Sequence, residues 1–328
     1  MLEFITRRLI LLIPTIILIS IISFIIIQLP PGDFLTSYIM QLESAGQLVD
    51  QALIDSLKAQ YGLDQPVYVQ YWKWVSGIVT RGDFGQSLQW KTPVKDLIWE
   101  RLAFTFALSL SSLLFIWVVA FPVGIYSAIR QYSLGDYLFT FISFLGLGIP
   151  NFLLALVVMW FAFSRLGISV GGLFSQQYVD APWSWAKVVD FLKHIWIPMI
   201  ILGMGGTAGL IRIMRANLLD ELHKPYVVTS RSKGMPEAKL ILKHPVRVAL
   251  NPFVSTVGWT LPGLVSGSII VSVVLNLPTT GPILLRALES QDMYLAGTFV
   301  LLLSTLTVIG TLVSDILLAW LDPRIRVQ

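Results

Sequence analysis

The chain of 328 residues contains no cysteine, which excludes disulfides, thiolate metal sites and cysteine nucleophiles together. Charge is scarce as well. Asp, Glu, Lys and Arg make up 13% of the residues, against about 25% in a soluble globular domain. No phosphate-cradling G-x-x-x-x-G-K-[ST] pattern occurs anywhere, so ATP hydrolysis by that route is excluded. Membrane protease or transferase chemistry would need paired acidic, His or Ser groups within the apolar runs, and the one charged group there is Asp315.

What the chain does have is apolar residues, 55% of the total. They gather into uncharged runs at 9–32, 102–129, 137–164, 195–211, 248–285 and 293–314, the last continuing past Asp315 to 321. Each run reaches the roughly 17–25 residues that a helix needs to cross the hydrocarbon core. Stretches such as Ile16-Ile17-Leu18-Ile19 do not alternate, which argues against outer-membrane strands. The expected fold is therefore an all-α polytopic membrane protein with six transmembrane helices. The first run holds 24 uncharged residues and exceeds the 7–15 of a signal-peptide core, so it is expected to remain as a span.

Six spans place both termini on one side. If that side is the cytoplasm, it holds 13 of the 23 basic residues against 6 acidic ones, a net of +7, while the outside carries 10 basic and 12 acidic residues. The overall charge of +4 is thus a positive-inside topology signal, and nucleic acid is not expected as a partner. His194 falls outside and His223 and His244 inside, so no shared metal site is expected among them.

The chain divides into 1–29 with the first span, an extracellular insertion at 30–101, and a core at 102–328 with a cytoplasmic loop at 212–252. In the insertion, Val49, Leu53, Leu57 and Tyr61 recur at helical spacing before Gly62. Pro66 and the aromatics Tyr68, Tyr71, Trp72 and Trp74 suggest a second helix, whose rings are expected to pack on each other and at the interface, with contact to an incoming partner as the alternative. Arg81-Gly82-Asp83 reads as a turn, and Thr92-Pro93 as the start of the helix leading into the second span.

The cytoplasmic loop holds 8 of the 23 basic residues. Pro225 suits a helix first turn, 226–233 can make two turns, and Gly234 suits a cap that reverses the chain. Pro236 then starts a second short helix through Lys243. Two short helices joined at a glycine make a compact projection, with a merely solvated basic loop as the alternative.

Prolines 14, 122, 150, 198 and 262 lie inside runs and are expected to kink or break them. Gly146-Leu147-Gly148-Ile149-Pro150-Asn151 is the most disrupted stretch. Candidate pathway residues are Gly148, Pro150 and Asn151 and, in the fifth run, Trp259, Pro262 and Ser266. That run is too long for one crossing, so Asn276 and the 278–282 segment should end it and lead into a short segment folding back. Gly205 and Gly209 fit close helix packing. Asp315, about 9 Å before the end of the last run at the helical rise, is expected to make an interhelical or helix-to-loop hydrogen bond.

Several motifs together resemble one family. Tyr226-Val227-Val228-Thr229-Ser230-Arg231-Ser232-Lys233-Gly234, followed by His244-Pro245-Val246-Arg247, is similar to a Y-V-x-T-A-R-A-K-G…H-x-x-R loop. Pro31-Gly32-Asp33, Tyr61-Gly62-Leu63-Asp64-Gln65-Pro66, Arg81-Gly82-Asp83-Phe84-Gly85-Gln86-Ser87, Leu261-Pro262-Gly263 and Asp322-Pro323-Arg324-Ile325-Arg326 complete the set over nearly the full length. The chain resembles permease subunits of the dipeptide/oligopeptide branch of ATP-binding-cassette importers.

That resemblance implies a type I importer permease fold, MetI-like, in a prokaryotic inner membrane with both termini cytoplasmic. It implies as partners a homologous second permease forming a heterodimer, two cytosolic ATPases, an extracellular or periplasmic substrate-binding protein and membrane lipid. No cofactor would be bound by this subunit, ATP and Mg residing in the ATPases. Tyr226, Thr229, Ser230, Arg231, Lys233, Gly234, His244 and Arg247 would form the element coupled to an ATPase, and Asp315, Asp322 and Arg324 would be structural. Departures include Ser230 and Ser232 for alanines, Ser272 where glutamate is frequent, the 274–282 turn, and a 166–172 stretch without its usual proline. Peptides are the implied substrates, with oligosaccharides or nickel as alternatives. A stand-alone secondary transporter or channel is the competing class.

Overall fold

The uncharged runs fold as helices, and the breaks between them follow proline and capping chemistry. The computed structural model describes residues 2–28, 65–87, 89–167, 170–255 and 257–321. The elements are α1 (Leu2–Gln28), α2 (Val67–Arg81), α3 (Val94–Ile129), α4 (Leu134–Gly148) and α5 (Asn151–Phe161), which runs into a π-helical turn (Ala162–Leu166). A 3₁₀ turn (Gln176–Tyr178) precedes α6 (Trp185–Leu222), α7 (Pro225–Ser232), α8 (Glu237–Lys243), α9 (Pro245–Ser255), α10 (Val257–Val274), α11 (Thr280–Glu289) and α12 (Met293–Leu321). The helix expected around 49–61, the motifs at 31–33 and 61–64, and Asp322 and Arg324 lie outside the described residues.

Among the described residues, α1, α3, α6 and α12 are long and apolar enough to cross a membrane, and α4 with α5 adds a fifth span if the bent pair counts as one. The protein is a multi-pass, all-helical membrane protein. The third run is not the single helix that its charge-free length suggests. It breaks between Gly148 and Asn151, and the two halves diverge by 103°. Pro150 causes this: its ring excludes helical backbone at the residue before it, and Ile149 is extended at φ −97°, ψ 120°. Pro14, Pro122 and Pro198 sit inside helices that continue past them.

The fourth run also differs from its reading. The uncharged stretch 195–211 is the middle of α6, whose 38 residues extend roughly 57 Å at the helical rise. Charged residues continue the helix at both ends, Lys187, Asp190 and Lys193 before the uncharged stretch and Arg212, Arg215, Asp220 and Glu221 after it. The fifth run is divided among α9, α10 and the first residues of α11, and α10 ends as expected at Asn276. There the Asn276 N–H bonds to Val273 O and the Leu277 N–H to Ser272 O, with Asn276 at φ +49°, a Schellman cap with asparagine in the left-handed position.

The described residues fall into two compact units, those within 1–5, 105–278 and 309–328 and those within 6–104 and 279–308. In the first, α6 is the central element and packs on α4, α5, α9 and α10. Side chains of α3 also approach α6 closely at Gly203 and Gly206: a Cβ at Gly203 would stand 2.6 Å from Phe115 Cδ1, and one at Gly206 would stand 2.7 Å from Ile116 Cδ1. Gly205, expected to serve this role, has only ordinary contacts, and nothing lies within 4 Å of a Cβ at Gly209.

In the second unit, Phe24, Trp74 and Leu301 form a buried cluster joined by Tyr71 and Tyr294, with Phe24 edge-on to Tyr71 at 5.4 Å. Of the four insertion aromatics, Tyr71 and Trp74 thus pack inward. Tyr68 and Trp72 face out, 74% and 70% exposed. Gly82 caps α2 in the left-handed conformation, so the Arg81-Gly82-Asp83 tripeptide is a turn. The Asp292 carboxylate starts α12 and pins the loop between α2 and α3. It accepts hydrogen bonds from Ser87 Oγ at 2.5 Å, the Gln89 N–H and the Leu295 N–H.

Candidate functional site

The 212–252 segment builds a compact projection from local rules. Lys224 is extended and Pro225 occupies the first turn of α7, where its missing N–H costs nothing. At the other end the Gly234 N–H bonds to Arg231 O and the Met235 N–H to Ser230 O, with Gly234 at φ +74°. This is a Schellman cap that reverses the chain into α8, and a side chain at Gly234 would be strained by the backbone conformation rather than by crowding.

Val227, Leu240 and Ile241 are buried beneath the projection, each worth about 1.5–3 kcal/mol. α7 packs on α8, α8 on α9, and α9 on the long α6. The projection is therefore carried on the central helix of its unit.

Each residue named for this element can be placed. The Tyr226 hydroxyl donates to Glu221 Oε2 at 2.5 Å; burial and then that carboxylate raise its pKa far above the ordinary phenol range. Thr229 and Ser230 donate their hydroxyls to Pro225 O and Tyr226 O, so both are used within the helix. Arg231 reaches across the Gly234 turn to Glu237 with two hydrogen bonds, Nε to Oε2 at 3.1 Å and Nη2 to Oε1 at 2.5 Å. The guanidinium holds the Glu237 carboxyl below its usual range, and the carboxylate raises Arg231. Lys233 is exposed, His244 caps α8, and Arg247 is exposed on α9. Tyr226 and Val228 are exposed on α7, and Lys233 and Arg247 are exposed on the same segment.

The proposed pathway residues fall into two groups. Gly148, Pro150 and Asn151 meet at the bend between α4 and α5, where Gly148 and Pro150 are exposed and Asn151 is half-buried. On α10, Gly263, Ser266, Gly267 and Ile270 are exposed at helical spacing, and a Cβ at Gly263 or Gly267 would meet nothing within 4 Å. Trp259 and Pro262 belong to the same helix, and their side chains lie outside the described residues. Asp315 is half-buried on α12. Among the described residues no cluster of three metal-ligating side chains occurs.

Two polar centres escaped the motif reading. Asp136, 3% exposed, binds Arg215 through Nε at 3.1 Å and Nη2 at 2.9 Å and also accepts the Tyr132 N–H. It joins the start of α4 to α6. A local signal existed in Ser133-x-x-Asp136, the capping spacing, and the Asp136 N–H does bond to Ser133 Oγ. The distant Arg215 carried none. The second centre is the 170–184 loop, which folds over the start of α6. Asp190 accepts the Ser175 N–H and hydroxyl. Buried Lys187 donates to Val179 O and Ala181 O beneath the rings of Phe174 and Trp183.

Comparison with known proteins matches two family descriptions. Residues 120–327 match the binding-protein-dependent transport system inner membrane component, and residues 1–109 match the N-terminal region of such membrane components. The chain is 35% identical to the oligopeptide transport system permease protein AppB of Bacillus subtilis (strain 168), covering 99% of this chain and 100% of that one. It is 32% identical to the dipeptide transport system permease protein DppB of Alkalihalophilus pseudofirmus, over 99% of this chain and 100% of that one. The glutathione transport system permease protein GsiC of Escherichia coli (strain K12) is 32% identical, over 99% of each chain.

Proposed function

Because the chain belongs to the family of binding-protein-dependent transport system inner membrane components, we propose that it forms half of the translocation pathway of an ATP-driven peptide importer. Peptides are the cargo named for relatives that it matches end to end. Six crossings with cytoplasmic termini accommodate the +7 inner face, with α4–α5 as a broken third span and α9–α10 as the fifth. A homologous permease completes the pathway as a heterodimer, two cytosolic ATPases bind below with their own ATP and Mg, and an external binding protein delivers cargo. The exposed small-residue face of α10 and the α4–α5 bend line the passage.

The observation that carries this reading is the α7–Gly234–α8 projection. A helix of 8 residues closed at both ends, with Tyr226 and Val228 exposed, fits a groove on another protein. Arg231 is engaged by Glu237, so it stiffens the turn, while Lys233 and Arg247 remain at the surface to meet acidic groups. An ATPase that closes on ATP would thereby move α9 and the central α6 as one lever.

Replacing Gly234 by valine tests this. Left-handed backbone costs a side chain about 1–2 kcal/mol, enough to open the cap while the spans stay inserted. In the assembled importer reconstituted in vesicles, G234V should abolish ATP-dependent peptide uptake and uncouple ATPase stimulation from the loaded binding protein. Normal uptake with normal stimulation would defeat the coupling role. A cysteine placed at Ser232, free of background in this chain, should resist an impermeant thiol reagent applied outside intact cells.

A further inference from the structure

The start of α4 and the end of the apolar stretch of α6 line an open cavity of about 530 Å³. Tyr137, Thr140, Ser143 and Phe144 line it from α4, and Arg212 and Arg215 from α6. The two arginines are not equivalent. Arg215 is neutralised by the bidentate contact with Asp136. Arg212 is exposed and lies over the Phe144 ring at 4.9 Å, and among the described residues no carboxylate lies within ion-pair distance of it. The cavity therefore holds one uncompensated positive charge.

We propose that this cavity is a binding site for an anionic phospholipid, with Arg212 holding the phosphodiester. The charges match: one guanidinium against one phosphodiester monoanion, whose oxygens suit its planar fork. Stacking on Phe144 holds the fork in place. The Thr140 hydroxyl, which makes no hydrogen bond among the described residues, supplies a further donor. Ser143 gives its proton to Phe139 O and can only accept.

Lipid is favoured over a soluble anion by what surrounds the polar end. Leu134 is 89% exposed, and Leu138, Phe141, Ile142 and Leu145 continue an open apolar face along α4. Such a face suits acyl chains and poorly suits a watered passage. The position also fits: Arg212 begins the basic inner segment, and basic pockets between transmembrane helices on the cytoplasmic side suit acidic headgroups. The proposal rests on the cytoplasmic orientation given above and is independent of the transported cargo.

Native mass spectrometry of the purified full chain tests it. The chain is released from detergent after incubation with phosphatidylglycerol or with phosphatidylcholine of identical acyl chains. Phosphatidylglycerol should remain bound in preference, and R212Q should weaken its retention roughly tenfold, the loss of a charge-assisted hydrogen bond, while leaving phosphatidylcholine unchanged. T140V, which keeps the side-chain volume, should weaken retention by a smaller factor and guards against a folding defect in R212Q. Equal retention of phosphatidylglycerol by R212Q and the parent chain overturns the proposal. So does its full displacement by millimolar inorganic phosphate, which would mark a free-anion site, or by a millimolar dipeptide, which would mark a cargo carboxylate site. Failure of ATP-dependent uptake would leave these outcomes untouched.

Discussion

Removing the carboxylate of Asp136 should destabilise the core unit more than any surface substitution in the chain. Asp136 is 3% exposed and its partner's side chain is 27% exposed. Two charge-assisted hydrogen bonds to Arg215 and one from the Tyr132 N–H converge on the carboxylate. Breaking one side of a fully buried pair costs about 3–5 kcal/mol, mostly from the charge left behind. Arg215 keeps some access to water, so a smaller cost of about 2–3 kcal/mol is expected for D136N. Replacing both residues, D136N with R215M, removes the stranded cation. The double variant should then lose less than the sum of the single ones, with a coupling of at least about 1 kcal/mol. SDS-titrated unfolding of the chain in bicelles, followed by helix content, reads all four species. Additivity within about 0.5 kcal/mol would show that the pair is not energetically linked and would refute the reasoning.

G206V should disrupt the α3–α6 contact, because its Cβ would meet Ile116 at 2.7 Å, whereas G209A should be neutral or slightly stabilising through the higher helix propensity of alanine; the same unfolding assay separates them. Glu237 should titrate below the usual carboxylate range because Arg231 binds its charged form. A group with a depressed folded pKa contributes above its unfolded pKa and loses that contribution as pH falls through the folded value. The Arg231 contact should therefore persist through the ordinary glutamate range and fail below it. Carbon-13 NMR of labelled glutamate would follow this, with the Glu237 midpoint rising in R231Q; an unchanged midpoint would contradict the contact.

The helices themselves were readable from the chain because their causes are local. Pro225, Gly234 and Pro236 punctuate α7 and α8 at the positions they occupy in space, since a missing N–H and a left-handed glycine act within a few residues. Asn276 ends α10 for the same reason. Pro150 was legible as a disruption but not as a bend of 103°, because the angle depends on what each half packs against. The glycine stretch 203–209 was legible as a packing motif, yet the positions where a side chain would clash with a neighbour are 203 and 206, while 205 makes only ordinary contact. Which face of a helix meets another is set by the partner's orientation, and the helix carrying the glycines does not encode it.

Hydropathy and the distribution of charge follow from the bilayer alone. Moving a charge into hydrocarbon is so costly that membrane residence and the sparing use of charge in the spans are written into composition. Pairings across long sequence separations are a different matter. Asp136 with Arg215, Ser87 with Asp292, and the cavity that leaves Arg212 uncompensated join residues whose spacing has no period to detect. They arise only when α4 folds back on α6, or the loop before α3 closes on the start of α12. There the low dielectric makes an unmet charge expensive and a met one specific.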